Sequence, residues 1–118
     1  VTNNTPATPA APADTTPPEF SSATVRDNQL VISYTEANTL DATVLAGNAG
    51  FTVNSTAGTA ITVSSARVNA TAKTVTLTLS RTVANGETVT VSYAKPATSN
   101  GVQDAAHNNA ADFSSRAV

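Results

Sequence analysis

The side chains able to do chemistry are few enough to place one by one. The 118-residue chain carries eight carboxylates, six Lys and Arg, one histidine and no cysteine. Without thiols there is no disulfide, no thiolate nucleophile and no Cys-based zinc site. His107 stands beside Asn108 and Asn109, and no nucleophile and orienting acid are spaced around it as acyl transfer would require. The serines fall in strand-like or linker contexts, with no Gly-x-Ser-x-Gly elbow. Phosphate-cradling glycine loops, His-x-x-x-His spacing and the linear calcium motifs are likewise missing. The expectation is a non-enzyme that requires no cofactor.

The acids take their meaning from the elements that carry them. From Phe20 onward, apolar residues alternate and turn residues recur about every ten positions, the pattern of an all-β fold with half-buried strands. Strands are expected at residues 20–25, 29–35 and 50–54, then one strand or two short ones over 60–68. Further strands follow at 73–80, after the Asn85-Gly86 turn with Val89, Val91 and Tyr93 inward, and at 112–118. Asp27-Asn28 suits a tight hairpin. Residues 41–46 could make one helical turn, capped by Asp41 and stopped by Gly47. The cleanest alternation sets Val75, Leu77 and Leu79 inward against Thr74, Thr76, Thr78 and Ser80. About seven strands with these turns make an immunoglobulin-like β-sandwich.

Composition limits the rest. Nearly all the hydrophobic residues are aliphatic, with three Phe, two Tyr and no Trp or Met, so the core must be thin. Charged residues make up only 12% with a net charge of −2, and no Lys/Arg cluster is present. That excludes nucleic acid and an anionic membrane surface as partners. No apolar run is long enough to insert in a bilayer. Residues 1–18, VTNNTPATPAAPADTTPP, are too polar and proline-dense to offset their ordering entropy. They read as a Pro/Thr/Ala-rich linker of up to ~3 Å per residue, leaving residues 19–118 as one sandwich domain. The Thr-, Ser-, Asn- and Ala-rich, Lys-poor composition suits an extracellular or cell-surface chain. Val1 in place of an initiator Met suits a piece of a longer one.

Strands of such a sandwich run alternately up and down. The start of the first strand, the second-to-third connection and the last loop therefore share one pole. Asp14, Glu19, Glu36, Asp41, Asp104 and Asp112 fall there, while Asp27 and Glu87 belong to the other end. Two readings stay open: ordinary solvated loop acids, or a cation site. Calcium is the ion the chemistry suits, because it takes six to eight oxygen ligands in irregular geometry. Glu36 and Asp104 would anchor it, Asn108 would add an amide oxygen and Asp14 would close from the linker.

Several segments carry a family resemblance. Asp14-Thr15-Thr16-Pro17-Pro18-Glu19-Phe20 resembles a repeat opening, and Leu30-Val31-Ile32-Ser33-Tyr34-Thr35-Glu36-Ala37 with Leu40-Asp41 resembles a Tyr-Ser-Glu-Ala-Leu-Asp segment. Phe51-Thr52-Val53, Thr88-Val89-Thr90-Val91-Ser92-Tyr93 and Val102-Gln103-Asp104-Ala105-Ala106-His107-Asn108 continue it, the last where the pattern is Asp-x-Ala-Gly-Asn. Together these resemble the SwmB-type repeats and, more broadly, bacterial Ig-like (Big-type) repeats of large cell-surface proteins and adhesins. Two residues are inserted at Asn38-Thr39, and His107 replaces a glycine. The resemblance implies a structural spacer or stalk repeat in a secreted, motility-associated or adhesive protein, monomeric alone and flanked by neighbouring repeats. The alternative is a module whose loops bind a surface glycan or protein; inward placement of all five aromatics favours the spacer.

Overall fold

The computed structural model describes residues 15–43, 45, 47–56, 60–96 and 101–118. Seven strands follow in order: β1 Glu19–Arg26, β2 Gln29–Thr35, β3 Phe51–Ser55, β4 Val63–Asn69, β5 Thr74–Leu79, β6 Val89–Tyr93 and β7 Phe113–Ala117. Alternation writes most of them, whereas β7 buries only Phe113. In β5, Val75, Leu77 and Leu79 are buried while Thr74, Thr76 and Thr78 stay half-exposed on the outer face, where β-branched side chains suit the pleat.

The strands form two antiparallel sheets, β1-β2-β5-β4 and β3-β6-β7. This is the strand order of the constant-type immunoglobulin sandwich. Leu30, Ile32, Val75 and Leu77 from the first sheet meet Phe51, Val91 and Tyr93 from the second in a single core. Burial of each such side chain contributes ~1.5–3 kcal/mol. Aromatic rings line one end of it: Phe51 and Tyr93 lie 4.7 Å apart and Phe20 and Phe113 4.8 Å, centroid to centroid. Phe20 is inward, as its period requires, yet only half-buried, with the Arg116 guanidinium 5.8 Å from its ring centre.

Two local expectations change. Residues 60–68 hold one strand, β4, with a bulge between Val63 and Ser65 where Ser64 Oγ donates to the Thr78 carbonyl. No described residue of 41–46 is helical. Asp41 N–H instead donates across to the Gln103 carbonyl at 2.8 Å, and Leu45 is drawn into the core. Tertiary pairing of this kind outweighs a single unpropagated helical turn. Farther along the same connection, Gly50 has φ 87° and no room for a side chain, because a Cβ there would lie 2.0 Å from the Ala94 carbonyl oxygen. That close approach lets Ala94 N–H bond the Gly50 carbonyl at 3.0 Å.

Pairing fixes which loops share an end. Glu19 pairs with Thr35, and Phe20 stacks on Phe113 at the start of β7. Leu40 N–H donates to Ala70 in the β4–β5 turn, and Leu40 bridges to Asp104 in the β6–β7 loop. All of these belong to the pole where the chain enters. At the opposite pole Val83 N–H donates to Asp27 in the β1–β2 hairpin, and Val118 N–H to Val89 as the described chain ends. Among the described residues no helix is long and apolar enough to cross a membrane.

Candidate functional site at the entry pole

Among the described residues Pro18 is the first that is fully buried, whereas Thr15 and Thr16 are exposed. Around that point the β2–β3 connection and the β6–β7 loop are zipped by backbone: besides the Asp41–Gln103 bond, Ala105 N–H donates to the Thr39 carbonyl at 3.0 Å. Of the acids expected at this pole, Glu36, Asp41, Asp104 and Asp112 sit on these two loops, each with a local task, while Glu19 is exposed at the start of β1.

Asp104 is fully buried. Its Oδ1 accepts the Asn108 backbone N–H at 2.8 Å and its Oδ2 the Asn108 side-chain amide at 2.9 Å. His107 N–H and Asn108 C=O bond the Asp104 main chain from the same turn. The loop is thereby wound around one carboxylate, which replaces the water that its N–H groups would otherwise need. His107 takes φ 70°, the left-handed conformation that glycine adopts without cost. Histidine at this position, where the resembling pattern has glycine, therefore carries backbone strain.

Glu36 is also buried, with Oε1 accepting from Asn38 N–H at 3.2 Å and its carbonyl accepting Lys73 Nζ at 2.6 Å. Asp112 Oδ1 accepts Lys95 N–H at 2.8 Å. Of the four residues expected around calcium, Asp104 and Asn108 are brought together as acceptor and donor, Glu36 serves its own turn, and Asp14 lies outside the described residues. Among the described residues no group of three or more His, Asp or Glu side chains is placed to hold a metal ion. Any ion here would compete with the loop N–H groups for carboxylate lone pairs.

Asp41 is the busiest acid. Oδ1 accepts both the Thr43 N–H and the Thr43 hydroxyl, at 2.9 and 2.6 Å, and Oδ2 accepts Gln103 Nε2 at 2.6 Å. His107 Nε2 stands 3.6 Å from the same Oδ2. The Thr43 bonds foremost, with smaller contributions from the Gln103 bond and the nearby His107, hold the Asp41 carboxyl below the usual range against the opposing effect of desolvation. This four-residue cluster was not foreseen from sequence. Its legible part is the Asp-x-Thr spacing, which closes a local turn.

The residues matched by a family model run from 13 to 98, and the model is that of the SWM repeat, described as a "putative flagellar system-associated repeat". The chain belongs to this family. It is thus a repeat module of a motility-related type, as the SwmB-type resemblance implied. The broader Big-type likeness has no family match behind it; what the molecule shares with immunoglobulin domains is strand order. No curated protein and no solved structure matches the chain.

The matched stretch of this SWM repeat stops short of the Asp104 loop and β7, so the two poles differ in how far the family describes them. The exit pole lies within it, apart from β7. There Glu87, with a side chain only 2% exposed, takes Arg81 Nη1 and Nη2 at 3.0 and 2.6 Å, the Ser55 hydroxyl, and the Ala84 N–H at 2.9 Å. Arg81 first, then Ser55 and Ala84, lower its carboxyl from 4.5 to about 2. The clamp ties the β5–β6 connection to the end of β3. Sequence reading had left Glu87 as a turn acid, because nothing in the chain marks Arg81 and Ser55 as its partners.

Proposed function

We propose that this SWM repeat is a spacer, one unit of a stalk that holds a secreted, motility-associated surface protein away from the cell. The observation that carries this is the placement of the chain's ends. Glu19 enters at one pole, and Ala117 and Val118 leave beside Thr90 and Val89 at the other. Copies joined in this way run end to end, each adding roughly 20–25 Å of strand. The Pro/Thr/Ala-rich linker expected over residues 1–18 lies largely outside the described residues. The role needs neither a cofactor nor a catalytic group, and its partners are the neighbouring repeats. The outer face of β5 carries threonines, which suits an exported chain.

Small-angle scattering on two, three and four linked copies tests the reading. A stalk predicts a maximum dimension that rises in proportion to copy number. Growth with the cube root of mass, the mark of a compact cluster, would overturn it. Saturable binding of a glycan or a host protein by a single copy would instead favour a binding module that works through its loops.

A further inference from the structure

We propose that Thr43 and Gln103 are the partners of an intramolecular ester cross-link, with Asp41 as the group that moves the proton. The geometry lies in one carboxylate. Asp41 Oδ1 accepts the Thr43 hydroxyl at 2.6 Å, and Asp41 Oδ2 accepts the Gln103 side-chain nitrogen, also at 2.6 Å. The hydroxyl that would attack and the nitrogen that would leave are thus held on two oxygens of a single side chain, both through short charge-assisted bonds. They can be no farther apart than those two bonds and the width of a carboxylate allow.

The backbone keeps them there. The Asp41–Gln103 main-chain bond at 2.8 Å and the Ala105–Thr39 bond at 3.0 Å zip the two loops on either side of the cluster. Asp41 is itself set by the turn that its Oδ1 closes with Thr43 N–H. With both groups held on one side chain, the acyl transfer would be intramolecular, and closing the remaining gap between Thr43 Oγ and Gln103 Cδ would not need a second molecule. Gln103 and Asp41 are each partly shielded from water, the Asp41 side chain being 16% exposed.

The step balances without an added reagent. Thr43 Oγ attacks Gln103 Cδ, and the Oγ–Cδ bond forms as the hydroxyl proton passes to Asp41 Oδ1. From the same carboxyl a proton reaches Gln103 Nε2, the Cδ–Nε2 bond breaks, and ammonia leaves. The proton lost by Thr43 becomes the third hydrogen of the ammonia, and Asp41 ends ionised as it began. His107 Nε2 stands 3.6 Å from Asp41 Oδ2.

The chemistry stands without the stalk reading; only its use rests on that reading. A bond from Thr43 to Gln103 encloses β3, β4, β5 and β6 in a covalent ring. Tension applied at the two ends would run through β1 and β2, cross the ester and leave through β7. The four enclosed strands would then not be extended.

The experiment is the intact mass of the folded wild-type chain, with tandem fragmentation to locate any change. The cross-link predicts a mass lower than that of the sequence by one ammonia, a fragment joining the peptides of Thr43 and Gln103, and reopening by hydroxylamine. Thr43→Ser should keep the loss, whereas Thr43→Val and Asp41→Asn, each confirmed folded by its circular dichroism, should show the full mass. Full mass in the folded wild type would overturn the proposal. So would an ammonia loss mapped to Asn85-Gly86 or Asn100-Gly101, which is a succinimide, and so would glutamate at position 103, which marks transfer to water.

Discussion

Replacing Asp104 with alanine removes the acceptor around which the β6–β7 loop is wound. Two hydrogen bonds go, at 2.8 and 2.9 Å, from a carboxylate with no exposed surface. A hydrogen bond to a charged group contributes ~1.5–3 kcal/mol. Asn108 is half-buried, so water recovers part of the loss on the donor side. The net cost should be about 3 kcal/mol, or roughly 15 °C in Tm for a domain of about 100 residues. Asn108→Ala keeps its backbone N–H on Asp104 and loses the side-chain bond to it, so it should cost about half as much. Urea denaturation of the wild type, both single variants and the double variant gives the coupling by a thermodynamic cycle, expected at ~1–2 kcal/mol with an unchanged m-value. An Asp104→Ala cost below ~1 kcal/mol, or no coupling to Asn108, would mean that the loop is held by its backbone alone.

Leu77 is fully buried on the central strand β5, between Leu30 and the small Ala66, so Leu77→Ala should cost ~3–5 kcal/mol by chemical denaturation. Thr76→Ala on the outer face of the same strand should cost roughly 0.5 kcal/mol, and equal effects would reverse the assigned faces. Because the Glu87 carboxyl is lowered to about 2 when folded, the stability it contributes is complete above its ordinary value of 4.5 and is lost as pH falls toward 2. The gap in Tm between wild type and Glu87→Gln should therefore close over that window, and a constant gap would deny the Arg81 clamp its part. At His107, glycine should match or exceed the wild type in stability by up to ~1 kcal/mol, while valine should destabilise, since φ 70° excludes a β-branched residue. Thermal melts in which valine outperforms glycine would show that the loop adopts another conformation.

The strands could be read from the chain because burial on one face forces a period of two. β2 falls on the residues its alternation marks, β5 and β7 are one residue shorter at each end than expected, and β6 buries Val89, Val91 and Tyr93 as expected. Asp27, at φ 56°, makes the hairpin that Asp27-Asn28 announced. Gathering of acids at the entry pole followed in turn from strand direction. What those acids do was not legible, because it depends on which loop touches which. Asp41 and Gln103 are far apart in sequence and meet only after two sheets have closed, and no local pattern records that. The helical turn expected at 41–46 failed for the same reason: Asp41 was read as a cap for its own segment, and it is also a tie to another.

The same device recurs at both poles. Glu36, Asp41, Glu87, Asp104 and Asp112 each accept a backbone N–H from a loop, so five of the seven carboxylates among the described residues are spent on main-chain donors. A domain without disulfides and with a thin aliphatic core has little else to order its connections. Charge-assisted bonds to loop N–H groups supply that order at single side chains, about twice as strongly as neutral ones. In the proposed stalk, the loops at each end are where one copy would meet the segment leading to the next. Carboxylates placed there brace the ends of the sandwich, while the strands between are held by the pairing of two sheets around one core.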